Sequence, residues 1–441
     1  MQNRIFKIAF ICLFSFTGLD VYSQEVLQKK EAIKIAMENN FDIQISNNNL
    51  SIAKNNASIQ NSKYLPSLSG SAGGTYTSTD GTITQKSGTE VDFNNNETSG
   101  LNASVGLSYT VFDGFGRSNA YKKLQENYHI SELQARQLIE NTILNIFNSY
   151  YEVARLTQDV NNQKQTITIS GIRLKRANYG IEYGQGSQLD VLNAEVDYNN
   201  DSISYLTNSQ LLANEKRNLN LLLGRDIAID FTVDTTLNYA TDLTLESLTV
   251  HAKENNVTLL QQELVVKNAR YDVKSTRASA IPKLNVNANY GLNENNMGST
   301  SFINKSLSYG PTVGATLSWN LYDGGATKIR KQNSKITVDI QQTTLEREKL
   351  NIQRNLSNAW SSYQTALFVK DAQKKNLETS QTNFNRSTEQ YRLGQIANIE
   401  FRQAQLNLLN TQLVLNRAKY SAKLAELFLL QISGDLNQVK F

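Results

Sequence analysis

The sequence predicts an α+β membrane protein, built as an internal tandem duplication, with four barrel strands per chain and long coiled-coil helices. Three observations predict it. Ordered residue matches recur at fixed offsets along nearly all of the 441 residues. Four segments of about ten residues alternate apolar and polar side chains, which is the length of a tilted strand crossing a bilayer. Two stretches, residues 115–178 and 325–392, hold no proline and almost no glycine after their first positions. Long helices tolerate that composition, because proline is what breaks the helical hydrogen-bond ladder.

The duplication rests on matched landmarks. Glu38-Asn39-Asn40 returns as Glu254-Asn255-Asn256, and Pro66 and Leu68 return as Pro282 and Leu284, all at an offset of 216. The offset then becomes 210. Asp113-Gly114 matches Asp323-Gly324, Gly184-Gln185 matches Gly394-Gln395, and Gly224 matches Gly434. The chain therefore reads as a signal peptide at 1–23, a first repeat at 24–240 and a second at 241–441.

The signal peptide is read from Arg4 and Lys7, an apolar run over 8–18, and Val21 and Ser23 at the cleavage-site positions. The only cysteine, Cys12, lies in that run, so no disulfide or thiolate chemistry is expected of the mature chain. Its formal charge falls from +4 to +3 once Arg4, Lys7 and Asp20 are removed. No Lys/Arg cluster stands out along the sequence, and a nucleic-acid partner is not indicated. The mean hydropathy of −0.43 excludes a bundle of membrane-spanning helices.

Each repeat runs through the same elements. Residues 27–64 and 245–279 read as helices that end before Pro66 and Pro282. Strands follow at about 66–77 and 101–112, and at 282–291 and 311–322. In the strand before Asp113, Ala103, Val105, Leu107, Tyr109 and Val111 share one parity and Ser104, Gly106, Ser108 and Thr110 the other. The apolar parity holds no charge and the polar parity is small and uncharged, as in a membrane barrel with a wet lumen. A soluble sandwich with one wet face is the alternative on pattern alone. Four strands cannot close a barrel, and lipid cannot satisfy an open edge, so other chains must contribute strands. Residues 77–100 and 291–311 are polar and read as mobile external loops.

Asp113-Gly114 and Asp323-Gly324 then open the long helices, with Asp113 a candidate cap and the glycines a hinge from tilted strand to helix. Ile146, Ser149, Val153 and Leu156, like Ile352, Leu356, Ala359 and Tyr363, follow a heptad seam. Breaks at Gly184 and Gly394 lead into return helices at 187–223 and 396–432, giving two helical hairpins.

This set of motifs resembles the TolC family of outer-membrane efflux proteins over residues 27–435. Its carriers are YLPSL and AIPKL before the strands, VFDGFGR and LYDGGAT after them, and the turns GQGSQLDVLNA and GQIANIEFRQA. The resemblance implies a homotrimer with a shared twelve-stranded barrel in outer-membrane lipid. It also implies a long helical barrel in the periplasm, docked to a periplasmic adaptor (membrane fusion protein) and an inner-membrane pump of RND or ABC type. The function implied is a passive exit duct for drugs, metals or proteins. The alternative is an exported, non-transporting coiled-coil scaffold with a small β cap.

By the same resemblance the pore narrows at the hairpin tips, where Gly184 and Gly394 would meet the adaptor. An acid six residues after each glycine is typical there, and here it is Asp190 and Glu400, with Glu400 lining the constriction. A ring of three such carboxylates favours cations. The positions nine after the glycines hold Asn193 and Gln403 rather than a second acid, so the ring reads as single. The family's arginine two residues after the glycine is absent, since Gly186 and Ile396 stand there. Arg402 is left as a possible partner of Asp190 or Glu400. No catalytic or metal constellation is present in the sequence, where His129 and His251 are isolated, and no cofactor is expected.

Overall fold

A computed structural model of the chain describes residues 26–240 and 242–436. The signal peptide lies outside the described residues. In chain order the first half contains β1 (Val26–Leu27), α1 (Lys29–Asn39), α2 (Phe41–Asn56), a 3-10 turn (Ile59–Ser62), β2 (Ser67–Thr84), β3 (Glu90–Phe112), α3 (Gly116–Glu182) and α4 (Gln188–Leu223). The second half repeats the order with β4 (Thr232–Val233), α5 (Leu245–Asn255), α6 (Val257–Ala278), β5 (Lys283–Asn296), β6 (Lys305–Ser318), α7 (Ala326–Arg392) and α8 (Asn398–Ser433). Among the described residues no helix is long and apolar enough to cross a membrane.

The described residues divide into two compact units, one within 26–46, 136–256 and 351–436, the other 47–135 and 257–350. The second unit holds one four-stranded sheet, ordered β2-β3-β5-β6, with every neighbour antiparallel. Ser67 pairs with Ser108, Phe112 with Leu284 and Lys283 with Ser318. The starts of β2 and β5 and the ends of β3 and β6 therefore share one end of the sheet. Ser71 and Ser104 hydroxyls meet at 2.9 Å and Thr110 donates to Asn285 at 2.8 Å, so the polar parity is linked across strands. On the apolar parity Leu101, Val105, Leu107 and Val111 are all exposed.

Two expectations from sequence are corrected here. The polar segment 77–100 is not a loop. β2 and β3 continue through it as a hairpin that closes at Gln85–Thr89, with a register shift between Thr79 and Gly81. Ile83, Val91 and Phe93 are the apolar residues of the segment, too few to give a period-two signal, while main-chain pairing still satisfies the backbone. Likewise β5 and β6 extend to Asn296 and back to Lys305. The single helices expected at 27–64 and 245–279 are each two helices, broken at Asn40 and Asn256 without glycine or proline. Asn40 Oδ1 accepts the Ile43 N–H at 3.0 Å while Nδ2 donates to Leu222 O at 2.7 Å. Asn256 Nδ2 donates to Ile432 O at 2.9 Å. A side chain that offers the backbone a local alternative ends a helix.

The first unit has the main core. Leu27, Phe147, Tyr150, Tyr151, Leu219, Leu223, Phe231 and Leu427 are all at most 1% exposed. Burial of each large side chain stabilises by roughly 1.5–3 kcal/mol. Tyr150 bridges the parallel pair β1–β4, its hydroxyl donating to Leu27 O at 2.7 Å and accepting from Asp234 N at 3.0 Å. The heptad seams are buried as their spacing requires: Ile146, Ser149, Val153 and Leu156 on α3, and Ile352, Leu356, Ala359 and Tyr363 on α7.

Candidate functional site at the helix-hairpin ends

Both hairpin ends belong to the first unit. Each long helix stops in the same way. Gly184 has φ +70° and Gly394 φ +74°. The Gly184 N–H donates to Ile181 O at 2.9 Å and Gln185 N–H to Gly180 O at 2.7 Å. Gly394 and Gln395 repeat this with Tyr391 O and Gln390 O. This is a left-handed residue with paired return bonds that satisfy the last carbonyls of a helix. The first tip is the tighter one, since a Cβ on Gly186 would lie 2.9 Å from the Gly180 carbonyl carbon. Ile396 occupies that position in the second tip.

The two acids six residues after the glycines have different surroundings. Asp190 closes a capping box on α4. Its N–H donates to Ser187 Oγ at 3.2 Å, and its Oδ2 accepts from Ser187 N at 3.3 Å and from Ser187 Oγ at 2.6 Å. α8 starts from Ala397, which has no capping side chain. Glu400 is exposed and, among the described residues, makes no hydrogen bond or ion pair. One acid is spent on its own helix and the other is free. Gln403 is exposed and donates to Asn407 at 2.9 Å, and Asn193 is exposed.

Arg402 pairs with neither Asp190 nor Glu400. It is 9% exposed and turned inward, and its Nη1 and Nη2 donate to Asp201 Oδ2 and Oδ1 at 2.7 and 2.8 Å. Its Nε lies 3.4 Å from Asp197 Oδ1. Arg173, 2% exposed, donates to Asp197 at 3.0 Å and to Asn398 Oδ1 at 2.9 and 2.7 Å. Gln405 Nε2 donates to Thr166 O at 3.1 Å and to Ser170 Oγ at 3.2 Å. Two cations and two anions thus tie α3, α4 and the first turns of α8 together. The opposite outward face of α8 presents Glu400 and Gln403. Closer to the tip, Arg176 stands 4.5 Å over the Tyr391 ring, which stacks on Phe401 at 4.7 Å and 4°.

The sequence reading missed this cluster, although a signal existed. Ala194, Asp197 and Asp201 are spaced 3 and 4, and Arg402, Gln405 and buried Leu408 are spaced 3 and 3. Opposite charges at seam positions of facing helices mark buried pairs.

At the start of the long helices the aspartates act as caps. Asp113 Oδ2 accepts the Arg117 N–H at 2.9 Å and Arg117 Nε at 3.2 Å. Asp323 Oδ2 accepts Thr327 N at 2.9 Å, Thr327 Oγ1 at 2.6 Å and Arg330 Nη2 at 3.2 Å. The Thr327 hydroxyl holds the Asp323 carboxyl below its ordinary pKa. Gly114 and Gly324 both have φ +68°. A Cβ on Gly114 would sit 2.9 Å from Ile281 Cβ.

Comparison with known proteins agrees with this architecture. The model of the family "outer membrane efflux protein" matches residues 32–225 and 248–435. The chain therefore belongs to the outer membrane efflux protein family. It is similar to the probable efflux pump outer membrane protein TtgC of Pseudomonas putida, 23% identical over 92% of this chain and 82% of that one. It is also similar to the outer membrane efflux protein BepC of Brucella suis, 20% identical over 92% and 85%. Among solved structures, the Campylobacter jejuni CmeC outer membrane channel shares the fold with a TM-score of 0.78 at 15% identity, over 92% of this chain and 86% of that one. CusC does so with a TM-score of 0.73 at 16%, over 93% of each.

Proposed function

We propose that this chain is the outer-membrane exit duct of a tripartite efflux or type I secretion assembly, working as a homotrimer. The observation that carries this is a four-stranded sheet whose edge strands β2 and β6 have no partner among the described residues, and whose apolar parity is exposed. Lipid tolerates only closed barrels, so further copies complete it, and three copies give twelve strands. The 67 residues of α3 and of α7 span about 100 Å at 1.5 Å per residue, the right scale for a periplasmic tunnel. The doubled family match and the twin helix breaks at Asn40 and Asn256 support an internal tandem duplication.

In this reading the duct conducts passively, and an adaptor and an inner-membrane pump of RND or ABC type choose the cargo. Three Glu400 carboxylates, flanked by Gln403, form the constriction. Asp190 and Asn193 stand beside it, the former held by its capping box. Gly184 and Gly394 form the tips that meet the adaptor. Asp113-Gly114 and Asp323-Gly324 join barrel to tunnel. No observation favours the non-transporting scaffold. Fractionation tests the proposal: the protein sediments with outer membrane and runs as a trimer in mild detergent. A soluble monomer would sink it.

A further inference from the structure

Basic residues that are dispersed in the sequence are gathered by the sheet register. The helical end of the sheet is flanked by residues 50–66, 113–129, 266–282 and 319–335, which together carry thirteen Lys and Arg against four Asp and Glu. The opposite end, residues 80–97 and 294–305, carries two Lys against five Asp and Glu. The whole chain is only +4, so this is placement and not general basicity. Lys63, Lys122, Arg277, Lys283, Lys328 and Lys331 are exposed, and among the described residues none of their side chains has an acidic partner. The placement also opposes helix electrostatics. The first turns of α3 and α7 contain no acid, although a helix N-terminus favours negative charge. Cations there gain nothing from the helix they sit on. Aromatic and apolar side chains lie beside them, with Trp319 57% and Tyr322 84% exposed.

We propose that this belt is a docking surface for anionic phospholipid headgroups of the leaflet at the helical end of the barrel. The inference rests on the membrane-barrel reading above. Apolar strand faces place the bilayer against the sheet, and the basic residues nearest the strand ends, Lys63, Arg277, Lys283 and Lys328, then stand closest to the headgroup phosphates, where charge attraction acts within a Debye length of about 10 Å. The more acidic opposite end selects against that headgroup chemistry there, so the belt also sets which way the barrel sits.

Trp319 supplies the test, because it stands at this end and Trp360 is the only other tryptophan. The full chain with Trp360→Phe is reconstituted into vesicles containing either brominated phosphatidylglycerol or brominated phosphatidylcholine at equal mole fraction. At low salt the anionic lipid quenches Trp319 more strongly. Lys328→Gln with Lys331→Gln weakens that preference by roughly fivefold per removed charge, and 1 M salt abolishes it. Equal quenching by the two lipids, or a preference unchanged in the variant, overturns the lipid belt while leaving the barrel intact. Quenching by neither lipid overturns the membrane reading itself, and the belt with it.

Discussion

At the scale of single residues, two acids at matched positions have different tasks. Asp190 stabilises the start of α4 through its box with Ser187, while Ala397 leaves Glu400 unengaged. Glu400→Gln is expected to lower cation selectivity in single-channel recordings and leave assembly unchanged. Asp190→Asn is expected to weaken the helix start by about 1 kcal/mol with a smaller change in selectivity. Equal effects of the two on selectivity would show that both acids line the pore. Arg402 offers a second test. Removing one partner of a buried ion pair leaves an uncompensated charge, at about 3–5 kcal/mol. Arg402→Met therefore lowers the apparent Tm sharply, and Arg402→Met with Asp201→Leu recovers most of the loss. A double variant as unstable as the single one would assign the cost to packing. The place of Glu400 in the first turn of α8 was legible from its spacing after Gly394. The inward turn of Arg402 was not, because which carboxylate lies opposite it depends on how α4 and α8 pack.

At the scale of elements, the left-handed glycines separate backbone strain from contact. Gly184 and Gly224 have φ +70° and +69°. Nothing lies within 4 Å of a Cβ on Gly184, but a Cβ on Gly224 would lie 2.2 Å from Asn39 O, which must shift. Gly184→Ala is expected to cost about 1 kcal/mol from strain alone. Gly224→Ala adds the clash and is expected to cost at least about 2 kcal/mol more, read as a larger drop in apparent Tm. Similar losses in both would remove the close approach as a cause. The long helices, their seams and their glycine ends were legible because period, length and terminators coincide. The breaks at Asn40 and Asn256 were hidden, since each asparagine also needs a distant carbonyl, Leu222 O or Ile432 O. The strand extensions at 77–100 were hidden because their apolar residues, Ile83, Val91 and Phe93, are too few to mark a parity.

At the scale of the whole molecule, the edges of β2 and β6, unpaired among the described residues, carry the prediction. Cys12 is the sole native cysteine, so a cysteine scan of β2 against Thr316→Cys on β6 is clean. It is expected to give disulfides in one register and a ladder that ends at three chains. A ladder ending at two, or none, would refute the shared twelve-stranded barrel.

By itself the sequence determined the elements and the class: the duplicated order, the alternating strands and the long helices follow from local periods and from residues that break them. Only the tertiary structure decided which charges meet. Register brought scattered lysines and arginines to one end of the sheet, and helix packing paired Arg402 with Asp201 while leaving Glu400 free. Periodicity is a property of neighbours along the chain, whereas charge pairing depends on distances between segments more than 200 residues apart, as Asp201 and Arg402 are.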